Sequence, residues 1–560
     1  MLSRQPAFCW VVAIAVLLAA CQDRSSTGAG ASSTSGSSTA PSGNTSSPSN
    51  PSTAPNAPNA PEAVALSGAT ITVDAQSVVS ETGGDDLAGG RNVYSSASTP
   101  EANGGLDADW ELLRTFGMNR MRIINWQEPS CILDGQGNLT PCGRLINTLV
   151  HHRKRGLVPH LVVGQWRPEF IPGPATGWGD AQWAQYQDFA VKVVRFVARD
   201  YEGGGFPEAI FEVSNELDIA QDAKDLWLVD DVNLPQFDDR RYRQLLAIYR
   251  VWSRAVNQVA LETSRRLLVA GPATATGQWL ERFVGDIGRE GLRLDIASFH
   301  AYGGQLMASP DDPRSGVRAL GRAMRSALDV TGRPGTDIWV TEWGPSVDLN
   351  EQSLGRINYS HEGASYGMAF IREALAGRVN GGSLLLVRDN FGADTSGQKL
   401  IPSYTHLLNG VEYPKPIMNA FRMFSMLPGT RRAIALPGAQ PNLGAIGAAS
   451  SAAAGVLVYN YNYRFDWRNR DYRDLTTTEP VAVGFTNLPF GGSVTVERYL
   501  IDGQISNLAR FLDAGQTPIL DLTSLQKVEQ FSASVANGRL LLPQRSLGPA
   551  AVSLWMIRPQ

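Results

Sequence analysis

Two glutamates in this chain of 560 residues each end a short apolar run that is rich in β-branched residues. Glu216 ends the run FEVSNE, and Glu342 ends the run IWVTE far downstream. A buried parallel strand has this composition, and a carboxylate at its C-terminal end lies at the mouth of an α/β barrel. Hydrolysis of a glycosidic bond needs two carboxyl groups, one that holds a proton and one that is charged. The pair is therefore a candidate catalytic dyad for that reaction.

The segments that must carry these glutamates alternate between strand-like runs and amphipathic stretches of helical length. This alternation is typical of a (β/α)8 TIM barrel, which we place at residues 64–427. A first strand is expected within residues 85–95, so Glu216 falls on strand four and Glu342 on strand seven. The other strand-like runs are MRIINW (121–126), LVPHLVVG (157–164), AIFEVSNE (209–216), LLVAGP (267–272), LDIASFH (294–300), DIWVTE (337–342) and SLLLVRD (383–389).

The remainder of the chain, residues 428–560, changes to short strand-like runs separated by turn residues. This pattern predicts an all-β sandwich domain after the barrel. The last helical run before it, PIMNAFRMF at residues 416–424, is the expected contact between the two domains. One more strand-like run, ATITVDA at residues 69–75, could belong to either domain.

Residues 1–21 have the organisation of a bacterial lipoprotein signal peptide. Arg4 supplies a positive charge, an apolar run follows, and the sequence LAAC matches the lipobox, where cleavage leaves Cys21 lipidated. The apolar run is too short to span a membrane. The alternative to a lipoprotein signal is a plain secretory signal or an anchor helix. Gln22, not an aspartate, follows the cysteine. By Gram-negative sorting rules this favours the outer membrane.

Composition indicates a tether after the signal peptide and gives no sign of nucleic-acid, metal or cofactor binding. Residues 22–63 are mostly Ser, Thr, Gly, Pro and Asn, which predicts a disordered tether. The net charge of -4 gives no electrostatic basis for binding nucleic acid. Cys131 and Cys142 share one loop of a chain that we expect to be exported, so a disulfide is expected and a metal site is not. No cofactor is expected, because zinc motifs, phosphate-binding glycine loops and serine nucleophile elbows are missing from the sequence.

Tryptophans follow three of the predicted strands. Trp126, Trp166 and Trp343 come after strands two, three and seven, where flat rings could stack on sugar faces. Plain packing is the alternative. The long loop after strand four carries Asp218, further acidic residues and Trp227, and it could form either a lid over the substrate or a solvated acidic loop.

Several short motifs resemble glycoside hydrolase family 39. That family contains β-xylosidases, α-L-iduronidases and bacterial exopolysaccharide glycosidases, in a clan that keeps its acid/base on strand four and its nucleophile on strand seven. One motif alone is weak, but their order and spacing extend over both folded domains. The motifs are Ser214-Asn215-Glu216, Ala270-Gly271-Pro272, Ser298-Phe299-His300 with Tyr302, Val340-Thr341-Glu342-Trp343, Pro414-Lys415-Pro416 through Asn419-Ala420-Phe421, and Arg498-Tyr499-Leu500-Ile501-Asp502 with Ser506-Asn507.

The resemblance implies a retaining mechanism with Glu342 as the nucleophile and Glu216 as the general acid and then the general base. Retention requires carboxyl groups roughly 5 to 5.5 Å apart, against ~6.5 to 9.5 Å for inversion. The resemblance also implies four helpers. They are Arg122 and Tyr302 as donors to the nucleophile, His300 as a further hydrogen-bonding group, and Asn215 as the contact to the sugar 2-hydroxyl. His300 and Tyr302 could instead only pack the barrel, and Arg120 points to the same side as Arg122.

The chain departs from the family at the end of strand eight. A tryptophan-bearing run is replaced there by residues 384–389, LLLVRD, which argues against ordinary β-xylosidase activity and leaves Arg388 to meet an anionic or heavily hydroxylated sugar. A lipid anchor on a tether suits a polymer at the cell envelope. We therefore expect a glycosidase for an envelope or exported polysaccharide. The alternative is a non-catalytic carbohydrate-binding lipoprotein that uses the barrel as a scaffold.

Overall fold

A computed structural model describes residues 65–79, 96–99, 119–124, 126, 130–219, 227, 234–303, 316–346, 354–389, 400, 402–436, 443–461 and 477–560. The predicted signal peptide, Cys21, the tether and the window 85–95 lie outside these residues. Within the described part of the chain, no helix has both the length and the apolar character that crossing a bilayer requires.

Eight parallel strands close into a barrel, which confirms the predicted barrel architecture. The chain reaches it after a first strand, β1 (Ile71–Val78), that lies elsewhere. The next strands are β2 (Ser96–Thr99), β3 (Arg120–Ile123), β4 (Ile132–Leu133), β5 (Leu139–Thr140), β6 (Val158–Val163), β7 (Glu208–Val213), β8 (Arg266–Thr274), β9 (Ile296–Tyr302), β10 (Asp337–Gly344) and β11 (Gly381–Leu384). The barrel order is β10-β11-β2-β3-β6-β7-β8-β9, while β4 and β5 form a separate hairpin. Glu216 follows the fourth barrel strand and Glu342 lies in the seventh, as predicted.

Helices pack around the barrel because each has an apolar stripe at helical spacing. They are α1 (Gly143–Arg155), α2 (Asp180–Arg195), α3 (Asp239–Thr263), α4 (Leu280–Arg289), α5 (Val317–Val330), α6 (His361–Ala376) and α7 (Pro416–Met426). The longest, α3, begins after Asp238, whose side chain accepts a hydrogen bond from the N–H of Arg240 and caps the first turn. Its buried face includes Leu245, Tyr249 and Trp252.

The eighth barrel strand is shorter than the sequence predicts. Residues 383–389 read as one strand, but the barrel strand ends at Leu384. The chain then forms β12 (Leu386–Arg388), which joins β13 (Ser403–Leu408) and β14 (Val411–Pro414) in a three-stranded sheet. The break falls at Leu385, whose N–H donates to the carbonyl of Trp343. The sequence does not reveal this break, because β11 and β12 are both buried and the apolar run continues through them.

A separate nine-stranded sheet contains most of the C-terminal strands. These strands are β15 (Thr430–Ala435), β16 (Leu443–Ala449), β17 (Ala454–Asn460), β18 (Glu479–Val481), β19 (Val483–Thr486), β20 (Gly492–Ile501), β21 (Gln526–Val535), β22 (Leu540–Leu541), β23 (Arg545–Leu547) and β24 (Val552–Pro559). The sheet order is β21-β20-β24-β17-β16-β15-β1-β19-β22, and β18 pairs separately with β23. Side chains near both ends, such as Val496 and Phe485, share one apolar core, so the sheet curves around it.

The position of β1 corrects the predicted start of the barrel at residue 64. This strand pairs antiparallel with β15 and parallel with β19, so it belongs to the C-terminal sheet. Ile71 and Val73 lie in the apolar core of that sheet. The alternation of residues 69–75 marks a strand, but it carries no information about partners that lie hundreds of residues downstream.

The C-terminal sheet contacts the barrel through α6 and α7. Ser365 on α6 donates from Oγ to the carbonyl of Asn460 at 3.0 Å. Asn419 on α7 is fully buried, and its Nδ2 donates to the carbonyls of Ser506 and Thr523 at 3.3 and 2.7 Å. Two short helices, α8 (Ala509–Leu512) and α9 (Leu520–Thr523), lie in the same region of the chain. The expected contact through the last barrel helix is present.

Cys131 and Cys142 form the predicted disulfide. The hairpin of β4 and β5 lies between the two cysteines. Cys142 directly precedes α1, so the bond ties this helix to the loop that follows β3.

Candidate active site

Side chains at the base of the barrel decide which arginine reaches the mouth. The guanidinium of Arg120 lies 4.3 Å from the ring centroid of Trp339, and burial lowers the pKa of Arg120 to about 10. Trp339 fits because Gly381 stands opposite, where a Cβ would come within 2.3 Å of the indole nitrogen. Arg120 is therefore part of the packed floor. Arg122 faces the same side two residues further along β3, and it is the arginine that reaches the glutamates.

Glu216 follows β7 in a rarely adopted backbone conformation. Ser214 and Glu216 have φ angles of 73° and 49°, in the left-handed region that favours glycine. The turn is held because the N–H of Ser214 donates to the carbonyl of Val163 and that of Glu216 to the carbonyl of Ala273, both at 2.8 Å. Each such residue costs roughly 1 to 3 kcal/mol, a strain that is found most often at functional sites.

Glu342 lies within β10 and receives two hydrogen bonds. The Tyr302 hydroxyl donates to Oε1 at 2.7 Å, and Arg122 donates from Nη1 to Oε2 at 3.5 Å. A register shift between Val340 and Glu342 relative to β9 turns the carboxylate towards the barrel interior, the side on which Trp339 also lies. Strict alternation would put two residues three apart on opposite faces. The irregularity in β10 is therefore what presents the glutamate.

His300, fully buried on β9, contacts both glutamates. Its Nδ1 lies 2.8 Å from Glu216 Oε1 and 3.3 Å from Glu342 Oε2. Its Nε2 lies 3.5 Å from Nη2 of Arg122. Because a guanidinium only donates, Nε2 is the acceptor and Nδ1 carries the proton that is donated to a carboxylate. His300 thus does more than pack the barrel.

Arg122 connects the glutamates to the layer below them. It is fully buried, and its Nη2 donates to Oδ1 of Asn215 at 2.8 Å. Its Nε donates to Glu212, a buried residue of β7. Burial alone would lower the pKa of Arg122, but the charges of Glu212 and Glu342 outweigh it, and the pKa is raised. The guanidinium is therefore charged at neutral pH.

The two candidate carboxyl groups have different surroundings. Burial raises the pKa of Glu216 to about 7, although the charge of Arg122 acts in the opposite direction. Burial lowers the pKa of His300, so its ring is neutral at neutral pH. Burial, together with the charge of Glu342, raises the pKa of Tyr302 well above its usual range and keeps it a hydrogen-bond donor. The site thus places a carboxyl that holds its proton near neutral pH beside one that receives two donors.

The two glutamates lie close together at the barrel mouth. One carboxylate oxygen of Glu216, one of Glu342 and a ring nitrogen of His300 lie within 4.8 Å of one another. Retaining glycosidases hold their carboxyl groups roughly 5 to 5.5 Å apart and inverting ones ~6.5 to 9.5 Å apart. The ligand atoms of Glu216, Glu342 and His300 converge as around a cation, but the Nδ1 of His300 that faces the glutamates carries a proton and so cannot bind one in this arrangement.

Comparison with known proteins gives a match in structure but not in sequence. No family model matches the chain, and no curated protein matches it. A glycoside hydrolase family 39 enzyme from Xanthomonas axonopodis pv. citri superposes with a TM-score of 0.67 at 16% identity, over 88% of this chain and 97% of its own. A monomeric β-xylosidase from Caulobacter crescentus CB15 gives 0.65 at 17% identity, over 87% and 99%. An α-L-arabinofuranosidase from Thermotoga maritima gives 0.54 at 11% identity, again over 87% and 99%.

This chain has the fold of family 39 enzymes. The superpositions extend over nearly the whole length of those proteins. They therefore include the arrangement of a barrel and a separate sheet that the sequence motifs suggested. At these identities the similarity concerns the fold, and the chemistry rests on the side chains described above.

Two of the predicted stacking tryptophans are packing residues. Trp126 is fully buried, and its indole nitrogen donates to a backbone carbonyl of β6 at 2.6 Å. Trp343 is also fully buried, with its ring stacked on Phe370 of α6 at 4.2 Å between centroids. The predicted contact of these two residues with sugar is therefore wrong. A residue adjacent to the inward-facing Glu342 must face outward. Trp166 is half-buried, and its role stays a prediction.

Asp218 is a buried link between two loops at the barrel mouth and not part of a solvated surface. Its Oδ1 accepts from the N–H of Ala275 at 3.0 Å, and its Oδ2 accepts from the N–H and the hydroxyl of Thr276 at 3.0 and 3.1 Å. Burial raises the pKa of Asp218 to about 6 in spite of these donors. Trp227 is also buried. The other acidic residues of this loop, Asp222, Asp225, Asp230 and Asp231, lie outside the described residues.

Sequence reasoning missed two residues directly below the glutamates. Glu212 of β7 and His160 of β6 have fully buried side chains, and His160 Nε2 lies 3.3 Å from Glu212 Oε2. A signal was present, because Glu212 is a lone charge within an apolar run.

Proposed function

We propose that this protein is a retaining glycoside hydrolase with Glu342 as the nucleophile and Glu216 as the acid/base. The observation that carries this proposal is the approach of their carboxylate oxygens to within 4.8 Å at the barrel mouth. At this spacing one carboxylate reaches the anomeric carbon directly, whereas an inverting enzyme needs room for a water molecule. The family 39 fold is consistent with this chemistry.

In the first step Glu216 donates its proton to the glycosidic oxygen while an oxygen of Glu342 attacks the anomeric carbon. The bond between that carbon and the glycosidic oxygen breaks, the leaving group departs as an alcohol, and a glycosyl ester of Glu342 forms. The proton is available because burial raises the pKa of Glu216 to about 7. Tyr302 and Arg122 each hold one oxygen of Glu342 and so orient the nucleophile.

In the second step Glu216, now ionised, takes a proton from water. The water oxygen attacks the anomeric carbon, and the bond to Glu342 breaks. His300 lies 2.8 Å from Glu216 and donates to its ionised form. Asn215 uses Oδ1 to accept from Arg122, which leaves its NH2 group to donate to the sugar 2-hydroxyl.

The proposed substrate is a polysaccharide of the cell envelope or one in export, reached by a protein that is anchored through a lipid on Cys21. The lipobox LAAC and the composition of residues 22–63 support this location. Arg388, the candidate contact for an anionic sugar, lies 3.6 Å from the carboxylate of Glu412. That pairing weakens its attraction for a substrate carboxylate, so a neutral sugar is the favoured glycone.

A covalent trap tests the mechanism. The purified protein is incubated with activated 2-fluoro glycosides of several neutral and acidic sugars, and labelled peptides are located by mass spectrometry. We expect an adduct on Glu342 with one sugar, because the fluorine slows both steps and the activated leaving group restores the rate of the first step only. Glu342→Gln should remove the adduct.

The matched control is Glu208→Gln, which removes a glutamate at the other end of β7 that pairs with Arg266 at 2.8 Å. This variant should label as the unmodified protein does. An adduct on another residue would show that the nucleophile is not Glu342. If no sugar labels the protein and the unmodified protein binds oligosaccharides in calorimetry without hydrolysing them, the non-catalytic binding scaffold is the better interpretation.

A further inference from the structure

Glu212 is the buried charge on which the position of Arg122 depends. It lies on β7 below the two glutamates, and its side chain has no exposed surface. Its Oε2 accepts from Nε of Arg122 in a contact much shorter than the 3.5 Å between Arg122 Nη1 and Glu342. Glu212 and Asn215 therefore hold the guanidinium together with Glu342, although Glu342 is the residue that the mechanism uses.

This carboxylate is poorly satisfied for a purely structural group. Its Oε1 is buried and makes no hydrogen bond to the residues that the structure describes. Nδ1 of His160 likewise makes no hydrogen bond to those residues, while its Nε2 lies 3.3 Å from Glu212 Oε2. A buried polar atom without a partner reduces stability, and structures retain such atoms where they serve a function.

The surrounding charges show what Glu212 can do. Among the residues that the structure describes, the titratable groups that face the two glutamates are Arg122 of β3, His160 of β6, Glu212 and Asp218 on β7 and the loop after it, and His300 and Tyr302 of β9. Burial lowers the pKa of both histidines, so they are neutral. β11 and β2 have no titratable residue in their sequences, and the only one in β8, Arg266, lies at its exposed start. Arg122 is thus the one cation among these groups.

We propose that Glu212 is a positioning residue that takes up most of the charge of Arg122, so that this cation orients Glu342 without neutralising it and without drawing the proton from Glu216. The proposal rests on the proposed glycosidase function and deepens it. Without Glu212, Glu342 would be the nearest carboxylate left to balance the charge of Arg122. The nucleophile would then be weaker, and the positive potential at Glu216 would be higher.

The sign of the pH effect follows from this arrangement. Burial raises the pKa of Glu216 and the charge of Arg122 lowers it. Glu212 is ionised, since the charge of Arg122 outweighs its burial and holds its pKa well below the usual range. Removing this negative charge must therefore lower the pKa of Glu216. Activity that needs protonated Glu216 is then lost at a lower pH.

The experiment compares the unmodified protein with E212Q and E212D in two measurements. The first is a 13C NMR titration of glutamate side-chain carboxyl groups, in which Glu216 is identified by the resonance that E216Q lacks. The second is the pH dependence of kcat on an activated glycoside. We expect E212Q to move the titration of Glu216 and the alkaline limb of kcat down by about one pH unit. E212D keeps the charge, so both should stay in place while kcat falls because Arg122 is misplaced.

The control is E208Q, on the same strand but far from the mouth, which should change neither measurement. An unchanged titration of Glu216 in folded E212Q would overturn the proposal. If E212Q does not fold, E212D tests the proposal instead. A folded E212D with unchanged kcat would show that the position of Arg122 does not depend on Glu212, and this result would overturn the proposal. If the unmodified protein hydrolyses no glycoside, the proposed function fails, while the NMR titration still tests the electrostatic role.

Discussion

Glu216 binds its proton more tightly in the folded protein than in the unfolded chain. Burial raises its pKa from the usual 4.5 to about 7. Between these values the native state holds more protons, so the free energy of unfolding falls as the pH rises through this window. Above pH 7 the loss is complete and amounts to about 3 kcal/mol. The acid/base residue is thus a cost to stability at the pH where it works.

Glu216→Gln should therefore abolish hydrolysis and stabilise the fold at high pH. We expect the free energy of unfolding to rise by up to about 3 kcal/mol at pH 8 and to change little at pH 4. Denaturant unfolding at the two pH values measures both. Glu208→Gln, whose partner Arg266 is exposed, should change stability by less than about 1 kcal/mol at either pH. A gain of the same size at both pH values would mean that the pKa of Glu216 is not raised.

Individual residues were predictable where chemistry and strand position agree. Glu216 and Glu342 stand at strand ends, His300 and Tyr302 were implied by the resemblance to family 39, and the structure brings the four together. The sequence could not separate Arg122 from Arg120, since both face the same side of one strand. Only the structure shows that Arg122 is the one near the glutamates. Glu212 was missed because a charge inside an apolar run gives no indication of its partner on a strand about 90 residues earlier.

At the scale of elements, one face of β10 carries a catalytic candidate and the other face carries a packing residue. Glu342 faces the barrel mouth, and Trp343 faces the helices, where it packs on Phe370 of α6 and Phe421 of α7. The register shift in β10 sets which residue faces which way. Propensity and alternation do not reveal such a shift, because it depends on the pairing with β9. Substitutions of the two residues should accordingly have different consequences.

Trp343→Ala should reduce stability without affecting substrate binding. Loss of this buried ring lowers the free energy of unfolding by about 3 to 5 kcal/mol and leaves KM unchanged in the folded fraction. Trp166→Ala is the matched variant, since this half-buried ring could stack on sugar, and it should raise KM several-fold with little change in stability. Thermal unfolding and steady-state kinetics measure both. A raised KM in Trp343→Ala would indicate that Trp343 does stack on the sugar.

At the scale of the whole molecule, the C-terminal sheet is tied to the barrel by buried polar contacts as well as by apolar packing. Asn419 of α7 serves two carbonyls of the sheet domain at once. The sequence predicted this helix as the contact but not the part played by α6. It also left the partner of β1 open. Both depend on how distant segments meet, which local patterns do not encode.

Asn419→Ala should weaken the junction and leave the chemistry intact. Two buried carbonyls lose their donor, which lowers the free energy of unfolding by about 1 to 3 kcal/mol. The value of kcat should stay the same, because no residue of the dyad contacts Asn419. Calorimetry and kinetics test this, with Gln258→Ala on the exposed face of α3 as the control. A lower kcat in fully folded Asn419→Ala would show that the sheet domain shapes the active site.

The pairing of β1 also sets the order in which the protein can fold. Its partners β15 and β19 begin at residues 430 and 483, whereas the last barrel strand ends at residue 384. At about 5 to 20 residues per second, a ribosome needs roughly 20 to 70 s to advance from residue 78 to residue 430. Throughout that time β1 is an apolar segment with both edges unpaired, a state that invites aggregation. The barrel can close before synthesis of the chain is complete. The C-terminal sheet cannot form until β15 and β19 have been synthesised and can pair with β1.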